Sequence, residues 1–229
     1  MRTESDFLGS VKLPDDCLYG INTARAVSNF SISGKAVHKE LIYELIMLKR
    51  SAAVANCDAG LLDDNIAQYI VSACDKLSFK IDMSLFPTDT LQGGAGTSIN
   101  MNVNEVVCNT ALLIAGRRCG DYDFIDPLDH VNLNQSTNDI FPTAVRIASI
   151  KLIRKLSDGC AQLQTALQAK EQEFAHIKKI GRTELMNATE ITLGEQFGSY
   201  AQCIARDRWR IYKAEERLRF INIGGAAGG

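Results

Sequence analysis

The sequence predicts a mainly α protein: an N-terminal helical domain followed by part of a long central helical bundle. Three observations carry this reading. Strand signals are almost absent. Two unusually long stretches, 137–174 and 192–219, keep apolar residues at helical spacing. Three polar loops mix small residues with hydroxyls or amides, and each reads as opening into a helical stretch: Gly93-Gly94-Ala95-Gly96-Thr97-Ser98, Asn134-Gln135-Ser136-Thr137-Asn138-Asp139 and Gly181-Arg182-Thr183-Glu184.

In chain order, residues 1–36 read as irregular, with turn residues Gly9, Pro14-Asp15-Asp16 and Gly20. A helix is predicted over 41–55, with Leu41, Leu45, Leu48 and Ala52 on one stripe. Asp63 or Asp64 caps the next helix, where Ile66, Ile70 and Cys74 share a face. After Ser98 a helix runs to about Ala115 and ends at Gly116. Residues 117–135 read as a loop around Pro127.

The longest helix begins near Thr137, with Pro142 in opening turns where a missing N–H costs little. Its stripe is Val145, Leu152, Leu156, Leu163, Leu167 and Phe174. Such a helix is about 50 Å long at about 1.5 Å per residue, a length typical of bundles shared between subunits. The 192–219 helix is anchored by Leu193, Phe197, Ile204, Ile211 and Leu218. Its charged outer face, from Arg206 to Arg217, reads as a solvated face with i,i+4 pairs, and Trp209 as a packing residue. The domains are therefore placed at 1–136 and 137–229. An open apolar helix face beside the glycine-rich run at 223–229 implies that more protein is needed, on this chain or another.

Composition narrows the class. With 229 residues, 46% hydrophobic and 23% charged, the chain can bury a sizeable core. A net charge of −2 gives no reason to expect nucleic acid or an anionic membrane as partner. No apolar run is long enough to span a bilayer, and the polar, acidic N-terminus points to the cytoplasm. Seven scattered cysteines without CxxC read as buried or half-buried reduced thiols. His38, His130 and His176 are isolated, and no metal motif is present. The reading implies neither metal nor cofactor.

The loops carry the chemistry. A helix N-terminus offers unpaired N–H groups and the positive end of the dipole, so it suits an anion. Several together suit a small substrate with more than one carboxylate. The Gly93 run is neither a dinucleotide fingerprint nor a P-loop, since no lysine follows and no strand precedes it. A plain helix cap explains it equally well, but Asn100, Asn102, Asn104 and Glu105 follow. Asn100 and Asn104 share a face while Asn102 turns away, and buried amides imply a polar network or a ligand. Ser136, Thr137 and Asn138 are redundant cap candidates or, alternatively, neutral donors around a carboxylate. Arg182 suits a carboxylate or a structural ion pair.

Four ordered motifs make the chain recognisable: Gln92-Gly-Gly-Ala-Gly-Thr-Ser-Ile-Asn-Met-Asn-Val-Asn-Glu105, Asp129-His-Val-Asn-Leu-Asn-Gln-Ser-Thr-Asn-Asp139, Gly181-Arg-Thr and Thr192-Leu-Gly-Glu-Gln-Phe197. Together they resemble the aspartase/fumarase superfamily along essentially the whole chain. Gly-Gly-Ala-Gly-Thr-Ser and Gln-Ser-Thr-Asn-Asp look more like its ammonia-lyase branch than its fumarase branch.

The resemblance implies a homotetramer with a central bundle and sites built from three subunits. It implies anti-elimination of ammonia from L-aspartate to fumarate through an aci-carboxylate. Thr97, Ser136 and Thr137 would hold the β-carboxylate, Asn138 and Thr137 the amino group, and Thr183 would lie near the α-carboxylate. Ser98, Asn100, Asn102, Arg182 and Glu184 are possible supports. The family's base is a serine on a Gly-Ser-Ser loop that these residues do not contain, so no catalytic base is assigned here. The expectation is an N-terminal portion that needs a complementing C-terminal chain. Glu184 departs from the family's His or Gln and would repel a dianion. Two alternatives stay open: a fumarase, or a non-catalytic assembly subunit or decayed copy.

Overall fold

A computed structural model describes residues 1–225; residues 226–229 of the glycine-rich run fall outside it. The described chain divides into two compact units. One is Met1–Ala148 with the described residues from Ile221 on; the other is Ser149–Phe220.

The first unit opens with a hairpin, β1 (Arg2–Asp6) and β2 (Gly9–Leu13), and a short helix, α1 (Ile21–Asn29). The expectation of irregular chain over 1–36 is therefore corrected. The buried face mixes Arg2 and Glu4 of β1 with Val11 and Leu13 of β2, so β1 by itself shows no hydrophobic alternation. Glu4, on that face, accepts from Arg2 Nε at 2.7 Å and from the Tyr122 hydroxyl at 3.1 Å.

Helices α2 (Lys39–Asp58), α3 (Asp64–Phe79) and α4 (Thr97–Ile114) build the core. His38 and Asp63 cap α2 and α3 through their side chains. The buried stripe of α2 is Ile42, Leu45, Ile46, Lys49, Ala53 and Asn56, rotated from the predicted Leu41, Leu45, Leu48 and Ala52. Two polar residues on the core face misled an apolar count.

α4 is buried on every side from Ile99 to Leu112, and Asn102 points to a different neighbour from Asn100. Other polar residues of the helix also bind neighbouring backbone. Asn102 Nδ2 donates to Leu85 O at 3.1 Å and Asn109 Nδ2 to Leu18 O at 2.9 Å. Glu105 accepts from the backbone N–H of Gly20, Asn22 and Thr23 and from the Thr23 hydroxyl, which makes it the N-terminal anion of α1. Gly116 at φ 72° ends the helix as expected. Within the predicted loop 117–135 lies a π-helical turn, Pro127–Val131, capped by Asp126.

α5 (Thr137–Glu173) is the longest helix, as predicted. Pro142 sits deeper than a free position. The N–H it lacks would serve Asn138 O, which accepts instead from Asn222 Nδ2 at 2.8 Å.

In the second unit α5 continues beside α6 (Leu193–Leu218), whose start is a Thr192–Glu195 capping box. The pairs Arg154–Glu215, Gln164–Arg208 and Phe174–Phe197 show that the two run antiparallel. Gly194 packs against the backbone of Glu171 and Ala175, leaving no room for a Cβ, and Gly198 faces the Glu171 carboxylate. The charged face carries an i,i+3 pair, Asp207–Arg210, and Glu215 makes an i,i+4 pair with Arg219 at the C-cap. Trp209 is corrected: it is 59% exposed, with Lys213 Nζ 3.7 Å above its ring.

The third polar loop is also corrected. Gly181, Arg182 and Thr183 lie on β3 (Lys178–Thr183), which pairs with β4 (Met186–Thr192) in a hairpin. Glu184 and Leu185 form its tip with φ of 49° and 65°. No helix starts there. All seven cysteines are unpaired; Cys74, Cys108 and Cys119 are buried, and Cys203 is exposed. No described helix is long and apolar enough to cross a membrane.

Candidate active site at two adjoining helix starts

The α4 start is set by glycine geometry. Gly96 precedes α4 at φ 86°, and a Cβ there would lie 2.6 Å from the Phe141 ring on α5. This close approach puts the Thr97-Ser98 turn against the first turns of α5. Thr97 is exposed and Ser98 half-buried.

The α5 start is reciprocally capped. Ser136 Oγ accepts from Asn138 N at 3.2 Å, and Asp139 Oδ1 accepts from Ser136 N at 3.1 Å. Ser136 and Thr137 are half-buried and Asn138 is exposed. Asn100 bridges the two starts: its Nδ2 donates to Thr137 Oγ1 and to Asn132 Oδ1, both at 3.3 Å. The Asn100 Oδ1 is buried without a hydrogen-bond partner among the described residues.

Thr97, Ser98, Asn100, Ser136, Thr137 and Asn138 are thus brought together on the first unit. Asn102 faces Leu85 O instead. Arg182, Thr183 and Glu184 lie on the hairpin of the second unit, all exposed. Two helix N-termini bring together four hydroxyls, Thr97, Ser98, Ser136 and Thr137, with no arginine or lysine among the six residues, an arrangement able to take a carboxylate through hydrogen bonds.

The family model described as Lyase matches residues 9–229. The chain belongs to that lyase family. Over 229 residues the chain is 47% identical to the aspartate ammonia-lyase of a Bacillus species, covering 100% of the chain and 49% of the relative. Its fold matches fumarate lyase:delta crystallin from Brucella melitensis with a TM-score of 0.95 and 43% identity, over 98% of this chain and 53% of that one. It matches the class II fumarase of Schistosoma mansoni with a TM-score of 0.90 and 32% identity, over 100% of this chain and 48% of that one. The chain spans about half the length of the curated relatives it matches.

One further residue bears on this junction and carries no motif in the sequence. Lys49 is fully buried on α2, and its Nζ donates to Asn132 Oδ1 at 2.7 Å and Gln135 Oε1 at 2.9 Å. Burial pushes its ammonium down from 10.5 to about 7, against the opposing pull of Asp139. The available signal was a lysine interrupting an apolar helical stripe between Ile46 and Ala53.

Proposed function

We propose that this chain is the N-terminal half of an aspartate ammonia-lyase, which eliminates ammonia from L-aspartate to give fumarate. In this reading residues 1–136 form the N-terminal domain and 137–229 the first part of a bundle shared by four copies. The observation that carries it is the Asn100 bridge, which holds the Thr97-Ser98 and Ser136-Thr137 turns side by side. The identity of 47% to an aspartate ammonia-lyase supplies the substrate class.

The chemistry follows from charge. Removing a Cβ proton from aspartate leaves an aci-carboxylate that bears two negative charges on one group. Preorganised donors stabilise it most, because they need no reorganisation as the charge develops. Thr97, Ser136 and Thr137 take that group, Asn138 and Thr137 the departing amine, and Thr183 of another copy the α-carboxylate. The proton acceptor is assigned to a serine loop outside these 229 residues. Exposed apolar side chains on the second unit, among them Leu156 and Tyr212, supply the faces that neighbouring copies would cover.

The test is complementation. The chain is co-expressed with the C-terminal half of a related aspartate ammonia-lyase, and fumarate is followed by ultraviolet absorbance. Fumarate formation is expected. A complex that binds L-aspartate and never forms fumarate would sink the reading.

A further inference from the structure

We propose that Lys49 is a positioning residue, holding the 132–135 loop through Asn132 and Gln135 so that the start of α5 stays beside the start of α4. The loop is the lead-in to Ser136 and Thr137, and it is held from α2, from Asn100 on α4 and by the preceding turn through Val131 O and His130 O. Beside the two Lys49 contacts, Asn56 Nδ2 donates to Leu133 O at 3.0 Å, and Asn134 Nδ2 donates to Asn56 Oδ1 at 2.9 Å. Asn134 takes φ 58°, a conformation that needs such support. Asn132 is the hub. Its Oδ1 accepts from both Lys49 and Asn100, and its Nδ2 donates to Gln135 O at 3.0 Å. Through Asn132 and Asn100 a chain of three hydrogen bonds links the lysine to the Thr137 hydroxyl.

A lysine is a costly way to fill this space. Both acceptors are neutral amides, so the buried charge is only partly compensated, whereas a methionine of similar size would carry no such penalty. What methionine lacks is two directed donors. The titratable groups that act on Lys49 are Asp139 from α5 and Cys74 from α3; the Cys74 thiol is pushed up to about 12 by burial and stays neutral. The ammonium therefore gives up its proton near neutrality while the loop is closed and regains ordinary basicity when the loop opens. Linkage gives the sign: raising pH above about 7 favours the closed loop.

Hydrogen exchange of the chain, corrected for intrinsic rate and followed from pH 6 to 9, tests this. Protection of residues 132–139 should rise with pH above about 7, by up to about tenfold per pH unit. In Lys49→Met the response should vanish. In Gln135→Glu a carboxylate beside the amine should move its midpoint upward. A flat wild-type profile, or an unchanged response in Lys49→Met, overturns the proposal. Should Lys49→Met not fold, the wild-type and Gln135→Glu profiles still decide.

The catalytic arm rests on the aspartate-lyase reading. In the complemented assembly Lys49→Met should lose on the order of 10²-fold in kcat/KM, the scale of a small misplacement of binding groups. An assembly in which even the wild type forms no fumarate counts against the lyase reading and leaves the exchange result standing.

Discussion

Asn100 on α4 donates from Nδ2 to Thr137 Oγ1 on α5 at 3.3 Å, a contact between residues 37 apart in sequence that joins the two helix starts. Replacing it with leucine keeps the volume and removes the bridge. The expected loss is about 1 kcal/mol of stability for a net hydrogen bond, with a kcat/KM lowered on the order of tenfold or more in the complemented lyase. Melting curves and fumarate kinetics check both. Unchanged kinetics would show the bridge to be dispensable.

Gly96 sets the same junction from the other side. Gly96→Ala forces a left-handed φ of 86° on a residue with a Cβ and drives that Cβ to 2.6 Å from Phe141. A destabilisation of about 1–3 kcal/mol is expected. Denaturant unfolding measures it.

Glu105 is read as a structural anion rather than a catalytic one. It holds three backbone N–H groups and the Thr23 hydroxyl, and burial raises its carboxyl above the usual range. Glu105→Gln turns an amide NH2 towards donors and should cost about 2–3 kcal/mol. A drop in melting temperature without a change in KM is the predicted pattern.

Much of this was legible in the sequence, and the failures have physical causes. Capping residues and long apolar periods located α4, α5 and α6 to within a residue or two, because those signals are local. The Asn100-to-Glu105 cluster signalled a buried polar network before any contact was known. The β3–β4 hairpin was invisible for two reasons. Its tip, Glu184-Leu185, lacks the Gly or Asn that marks a two-residue turn. Its strands are mostly exposed, and the one buried position, Gly181, has no side chain to mark an alternation. Lys49 was missed because a single lysine on a helix reads as a solvated one.

Lys49 also predicts a pH dependence of stability. Its folded value of about 7 lies below the ordinary 10.5, so between them the unfolded chain binds the extra proton. Stability should rise with pH in that window, with a limiting slope of about 1.4 kcal/mol per pH unit, and be flat below it. Buried Cys74, Cys108 and Tyr122, all raised by burial, act oppositely once unfolded thiols and phenols ionise. Comparing wild type with Lys49→Met at pH 7 and 8.5 isolates the lysine. Equal slopes would contradict the assignment.

Asn138 separates the two lyase readings. Asn138→Ala should impair L-aspartate turnover in the complemented assembly more than any conversion of L-malate. Unaltered aspartate kinetics would remove Asn138 from the site.

The most direct measurement is a structure of the complemented assembly with L-aspartate or fumarate bound. The account predicts one substrate carboxylate within hydrogen-bonding distance of Thr97, Ser136 and Thr137, with Thr183 of a neighbouring copy at the other. A dicarboxylate seated elsewhere, with those hydroxyls turned away from it, would contradict it.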